Sequence, residues 1–356
     1  MSISTRRKSK QQRLADLILR SGILGGLRRL HDRGRKPALI LNYHRIAKVE
    51  PPPDYPLDLG LISATAAEFD FQMRALREFA HPVSLEAIAD AVTHGGTLPE
   101  RAVAVTFDDG FRDTFEVAFP ILRRTQVPAT IFVSTEQVEN NEPYWFEITA
   151  HLMLRIPPHA IVFDECPQGL PTGDDLAARR ESIASLHRML KTCANSRRSA
   201  LVEQWRGRFA QYLDPAACDL SRPISKQQII DMSREGIGFG SHTVSHPNLA
   251  LSSVETIERE LSGSKAYLTH LLGRPIRALA YPFGTPDTYD ARVFESARAC
   301  GYELAVSFRQ GINWLGALDA LELRRIGMGL GMTAGQFRVM LALPGWLHPN
   351  LRDEHT

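Results

Sequence analysis

The chain has 356 residues, 44% hydrophobic and 23% charged, with a net charge of +2. That balance describes a globular protein with a sizeable core and excludes collagen-like and disordered classes. No run approaches the ~18–20 apolar residues of a membrane-spanning helix.

The charge is uneven along the chain. Residues 1–36 carry eleven Lys/Arg against Asp16 and Asp32, so they hold +9 and the remainder −7. No basic stripe with interleaved aromatics continues into the body, which argues against a nucleic-acid partner. Leu14, Leu17, Ile18, Leu24 and Leu27 are spaced along one helical face but interrupted by Arg20, Gly22, Gly25 and Gly26. They lack the unbroken apolar core of a secretory signal. The arm reads as a basic amphipathic helix, either packed on the body or in peripheral contact with an anionic membrane. Cys166, Cys193, Cys218 and Cys300 form no C-x-x-C pair. Scattered cysteines fit reduced thiols, so a cytoplasmic location is expected, including the inner face of the plasma membrane.

The body, 37–330, opens with Ala38–Tyr43, an apolar run ending in His44 that reads as a buried strand. Pro51–Pro56 is a stiff loop. A helical pattern starts at Ser63 and runs through Phe69, Met73, Leu76 and Phe79, and Ser84 caps a shorter helix. Val103–Phe107 is the second strand, ending in Asp108-Asp109-Gly110. Asp113 is expected to cap a helix to about Arg124, followed by a strand over 127–133.

Between about 139 and 223 the strand rhythm gives way to three helical patterns, around 145–155, 176–193 and 198–212. These read as a helical insertion in which Trp145 and Trp205 belong to a private core. The rhythm then resumes with helices over 226–235, 254–272 and 291–300 alternating with strands near 237, 276 and 303. A further strand is expected near Leu321, and a last helix, 333–343, lies within a C-terminal segment, 331–356. Six or seven strands alternating with helices favour an α/β barrel, with chemistry at the C-terminal strand ends. His44, Asp108, Asp109, His242 and Tyr281 fall there.

Asp108-Asp109-Gly110 taken alone also fits a solvated turn. The stretch Ser241-His242-Thr243-Val244-Ser245-His246-Pro247 shifts that balance, because two histidines four apart can share one ion. Two imidazoles and one carboxylate form a set with open positions, suited to a catalytic ion, and a second carboxylate is then placed to act as general base. Zn²⁺ suits such donors, with Ni²⁺, Co²⁺ or Fe²⁺ as alternatives.

Thr106-Phe107-Asp108-Asp109-Gly110, His242-Thr243-Val244-Ser245-His246-Pro247 and Tyr281-Pro282-Phe283-Gly284 together resemble the polysaccharide deacetylases with NodB homology, family 4 carbohydrate esterases. The resemblance implies a distorted seven-stranded (β/α) barrel. It assigns Asp108 as general base, Asp109, His242 and His246 as metal ligands, and the backbone N–H of Phe283 as an oxyanion donor. Ala280 stands where the family has an arginine that steers the base; Arg277, Arg324 and Arg325 are candidates to replace it, with Arg325 preferred. The usual C-terminal Leu-x-His is missing. In this respect the chain resembles the permuted poly-N-acetylglucosamine deacetylase branch, in which the first strand brings the acid histidine, here His44.

The expected activity is metal-dependent removal of N-acetyl groups from the amino sugars of a cell-surface glycan or its precursor. The alternatives are a deacetylase or deformylase of a lipid-linked sugar at the inner membrane, and a glycan-binding protein without catalysis.

Overall fold

The structure, a computed structural model, describes residues 37–157, 175–314 and 319–343. The basic arm, Cys166 and the tail beyond Leu343 lie outside the described residues. The chain opens with β1 (Pro37–Tyr43), the short β2 (Arg45–Ala47) and β3 (Ile62–Thr65), α1 (Ala66–Phe79), β4 (His81–Pro82), α2 (Leu85–His94) and β5 (Ala102–Phe107). A π turn (Thr114–Ala118) leads into α3 (Phe119–Thr125), then β6 (Ala129–Val133) and α4 (Thr135–Asn140). The helical segment comprises α5 (Trp145–Arg155), α6 (Leu176–Lys191), α7 (Asn195–Arg208) and α8 (Pro215–Leu220). Then follow α9 (Lys226–Arg234), β7 (Gly238–Ser241), α10 (Val254–Leu272), β8 (Ala278–Ala280), α11 (Ala291–Ala299), β9 (Leu304–Gln310), β10 (Asn313–Trp314), β11 (Leu323–Gly327) and α12 (Ala334–Ala342).

Seven parallel strands close on themselves in the order β1, β11, β9, β8, β7, β6, β5, with β5 pairing back to β1 from Ala38↔Ala102 to Tyr43↔Phe107. The expected seven-stranded barrel is therefore present, with β4 and the antiparallel β10 as short additions at its seams. Strand side chains alternate between two layers, as period-2 geometry requires. Val103, Val105 and Phe107 join the large core under the outer helices, whereas Ala38, Ile40, Ala102, Ala104, Phe132, Ala280, Val306 and Leu323 fill the interior with Leu85 and Ile88 of α2. A Cβ on Gly240 would lie 2.4 Å from the Phe132 ring, so this glycine makes room for the largest apolar side chain of the inner layer.

Two expected helix starts are displaced. Ser63 lies in β3, and α1 is capped by Thr65 in a reciprocal capping box with Glu68. The Ser63 hydroxyl instead accepts the His44 backbone N–H at 2.9 Å, a tertiary contact that helical periodicity does not reveal. Asp113 makes no side-chain cap. Its carboxylate binds the Arg45 guanidinium at 2.8 Å and the Ile46 N–H at 3.0 Å, because a buried cation competes for it more strongly than a helix terminus.

The helical segment has a separate core of Ile148, Leu152, Ile183, Leu186, Leu190, Leu201 and Trp205. Trp145 packs against this core, as expected. Its ring also meets Phe146, His187 and Phe283 edge-on, so it borders both this cluster and the cleft-lining rings. Among the described residues, no helix is long and apolar enough to cross a membrane, and Cys193, Cys218 and Cys300 are free thiols.

Candidate active site

β1, β5 and β11 bring Asn42, Asp108 and Arg325 to the mouth of the barrel interior. Each falls in phase with inward-facing residues of its strand: Ala38 and Ile40, Ala102 and Ala104, Leu323. Arg325 is fully buried and grips Asp108 with both terminal nitrogens, each 2.7 Å from a different carboxylate oxygen. Its Nε donates to the Ser307 carbonyl at 2.7 Å, while the Asn42 side chain bridges the pair, donating to Asp108 at 3.1 Å and accepting from Arg325 at 2.7 Å. Burial alone pushes the Asp108 carboxyl up, but Arg325, His242 and His44 reverse that effect and hold it well below the usual carboxylate range.

The neighbouring Asp109 has the opposite environment. Its backbone turns into the left-handed region, φ 67°, and carries the side chain away from Arg325 toward β7. Gly110 continues the turn at φ 59°, where a Cβ would lie 2.6 Å from Val133. Asp109 Oδ1 sits 3.6 Å from His242 Nε2 and 3.5 Å from His246 Nε2, with the three donor atoms within 4.8 Å of one another. Burial, Asp108 and Glu147 push the Asp109 carboxyl well above its ordinary value.

His242 Nδ1 is 2.8 Å from the Ala280 carbonyl. An N–H donated there leaves the Nε2 lone pair aimed at the centre. Burial lowers both histidines, and His246 is lowered further by His242 and Arg198, so both rings are neutral near pH 7. Two neutral imidazoles converge on a buried carboxylate oxygen that has no hydrogen-bond partner. Such a donor set fits a divalent cation, which would satisfy Asp109 Oδ1 and remove the electrostatic cost of its charge.

His44 projects from the end of β1 into the same cleft, partly exposed and 6.1 Å, centroid to centroid, from Phe308. Burial depresses it to about 4, against the pull of the Asp108 charge. Phe283 is another left-handed residue, φ 62°, with its ring 4.8 Å from His246. Among the described residues no protein acceptor takes its backbone N–H. Asp109, Thr243, His246 and Phe283 are four of the seven non-glycine residues with positive φ among the described residues, so backbone strain is concentrated here, as at functional sites generally. The cleft encloses about 300 Å³ and contains His44, Asp108, Asp109, His242, His246 and Phe283, with Arg325 behind Asp108 in the interior.

Comparison with known proteins then decides the family. The polysaccharide deacetylase family profile matches residues 95–305, more than half of the chain. The chain belongs to the polysaccharide deacetylase family. Among curated relatives, the poly-β-1,6-N-acetyl-D-glucosamine N-deacetylase of Staphylococcus epidermidis is 30% identical over 112 residues, 29% of this chain and 38% of that protein. The protein of the same name from Escherichia coli is 39% identical over 77 residues, 21% of this chain and 12% of that one. The matched stretches thus span well under half of these relatives. Among solved structures, Streptococcus pyogenes deacetylase PplD in complex with acetate superposes with TM-score 0.57 at 22% identity, covering 85% of this chain and 96% of that one. IcaB from Ammonifex degensii gives 0.54 at 20%, with 86% and 96% covered. At such identities these two likenesses support the fold.

Within this member of the family the motif residues are ringed by side chains that the motifs do not contain. Asn42 shares the Asp108–Arg325 bonds; its place on an inward phase of the first strand was the available signal. Arg198 of α7 donates to the His246 carbonyl at 3.2 Å and lies 5.8 Å from the Phe283 ring centroid. Tyr144 donates its hydroxyl to the Asp109 carbonyl at 2.7 Å. Lys191 at the end of α6 places Nζ 5.1 Å from the Phe283 ring centroid. His187 faces Asp58 at 3.5 Å on the cleft wall. No local pattern marks these four, because their partners are 35 to 129 residues away in the chain.

Proposed function

We propose that the chain is a metal-dependent deacetylase that removes N-acetyl groups from a polysaccharide of N-acetylglucosamine. The observation that carries this reading is the division of labour in the Asp108–Asp109 pair: one carboxylate locked as an anion by Arg325, the other left bare between two neutral imidazoles. Family membership and the names of the curated relatives support the substrate class.

Asp109, His242 and His246 would hold the ion, zinc being best suited to two imidazoles and one carboxylate. Bound there, it would supply Lewis acidity to water and to the amide carbonyl. Asp108 takes the proton from the attacking water, and the Arg325–Asn42 grip fixes the direction in which its oxygens face. Phe283 N–H donates to the carbonyl oxygen as the carbon becomes tetrahedral, a type of contact worth about 2.7–4 kcal/mol. His44 is neutral before reaction; negative charge developing on the substrate raises its proton affinity, so it takes up the proton that Asp108 removed from water and passes it to the leaving nitrogen, leaving both groups as they began. A C–O bond forms, the C–N bond breaks, and acetate and a glycan amine leave.

The test is acetate release from oligomers of β-1,6-linked N-acetylglucosamine, measured before and after chelation and after addition of Zn²⁺. Activity lost and recovered supports the reading. Activity indifferent to chelation, or confined to a lipid-linked sugar, overturns it.

A further inference from the structure

The helical segment is fastened to both loops that frame the cleft. On one side Arg180 of α6 donates to the carbonyls of Pro53, Tyr55 and Leu57 at 2.7–3.1 Å, and His151 Nδ1 is 3.0 Å from the Pro56 carbonyl. On the other side Asn248, two residues past His246, donates its side-chain amide to the Lys191 carbonyl at 2.9 Å and its backbone N–H to Asn195 at 2.9 Å. The last turn of α6 and the start of α7 are thereby tied by two hydrogen bonds to the loop that carries His246.

Lys191 leaves that turn toward the cleft. It is partly buried and forms no ion pair among the described residues; its ammonium stands over the face of Phe283 and lines the cleft with Asp58 and His187. Burying a long cationic side chain costs conformational entropy and solvation, and one cation–π contact returns only part of that. Asp58 is held by the Gly60 N–H at 2.8 Å and faces His187 at 3.5 Å, and the Asp58 backbone N–H is taken by Glu147 at 3.1 Å. Donor and acceptor thus line the same cleft as the apolar rings of Phe146 and Phe283. That pattern matches a pyranose, which offers an apolar face and a rim of hydroxyls that donate and accept.

We propose that Lys191 and Asp58 form a sugar-hydroxyl subsite, built by the helical segment and the loop after β2, that holds the N-acetylhexosamine ring while its acetyl group faces the Asp109–His242–His246 set. This deepens the deacetylase reading and rests on it. Lys191 is a positioning residue in this scheme, so its contribution falls on ground-state binding.

The experiment uses β-1,6-linked N-acetylglucosamine oligomers with full-length Zn²⁺-loaded protein. K191M, which keeps the stem over Phe283 but removes the donor, is expected to raise KM at least about tenfold while kcat stays within about twofold, and K191R to restore most of the loss. Calorimetric binding of the same oligomers to D108N and to D108N/K191M, which needs no turnover, should show the same factor. Unchanged KM and affinity would overturn the subsite, as would a fall in kcat accompanied by loss of bound zinc. A wild-type protein that binds zinc but releases no acetate from the oligomers overturns the deacetylase reading, and the subsite with it; an active wild type with an indifferent K191M overturns the subsite alone.

Discussion

The barrel and the helical segment face the same cleft but hold their charged groups in different ways. In the barrel, buried apolar strands carry each polar side chain to a fixed height; Arg325, two strands away, satisfies Asp108, while Asp109 Oδ1 has no hydrogen-bond partner. The helical segment has its own apolar core and reaches the barrel through polar links: Arg45 to Glu147, Arg180 to three loop carbonyls, Arg198 to the His246 carbonyl. The barrel thus positions the candidate reacting groups, and the helices buttress the loop that carries His246 while forming one wall of the cleft.

The largest effects should come from breaking the barrel side. D108N is expected to lower kcat by about 10²–10⁴ while zinc stays near one ion per chain, because it removes a proton acceptor and not a ligand. Acetate assays paired with metal analysis check this; full activity in D108N would remove Asp108 as base. H44Q is expected to lower kcat within the same range, with KM and zinc content nearly constant. R325M leaves a buried carboxylate without its partner and should destabilise the protein by about 3–5 kcal/mol, read from urea midpoints. A change under about 1 kcal/mol would mean that Asp108 takes up a proton or finds another partner.

Smaller effects should follow on the helical side. L186A opens a cavity in the separate core, and about 2–5 kcal/mol of destabilisation is expected. If the helical segment is locally independent, hydrogen exchange will rise across α5 to α7 while the barrel strands keep their protection; a uniform rise would show one cooperative unit. The mildest test is acid titration of metal-free protein. His44 lies at about 4 in the fold, below its ordinary value, so the unfolded chain binds the proton more readily. Its contribution to stability is intact above pH 6.5 and is lost as pH falls toward 4. H44Q should flatten part of that slope, and an unaltered slope would assign the acid sensitivity to other groups.

Much of the barrel was legible because its strands are buried on both faces and read as short apolar runs between helices. Ala102–Phe107 and Ala129–Val133 are of this kind. The strands that escaped notice, β2, β3, β4 and β10, have two to four residues each, too short for a periodic signal. Ser63 and Asp113 do not cap helices for a related reason: their hydroxyl and carboxylate have better-placed partners in His44, just past β1, and Arg45 of β2, 19 and 68 residues away.

What the sequence determined by itself was which candidate groups stand at the strand ends, since Asp108, Asp109, His242 and His246 sit in short motifs next to apolar strands. The tertiary structure decided how those groups are supported. Ala280 empties one arginine position, and only closure of the barrel shows that Arg325 on β11, two strands from β8, reaches Asp108 from inside. Likewise only the docking of α6 and α7 places Lys191 and Arg198 beside Phe283. Strand-end chemistry is encoded locally, but a side chain's partner across a closed barrel or on a docked helix is set by the packing of the whole.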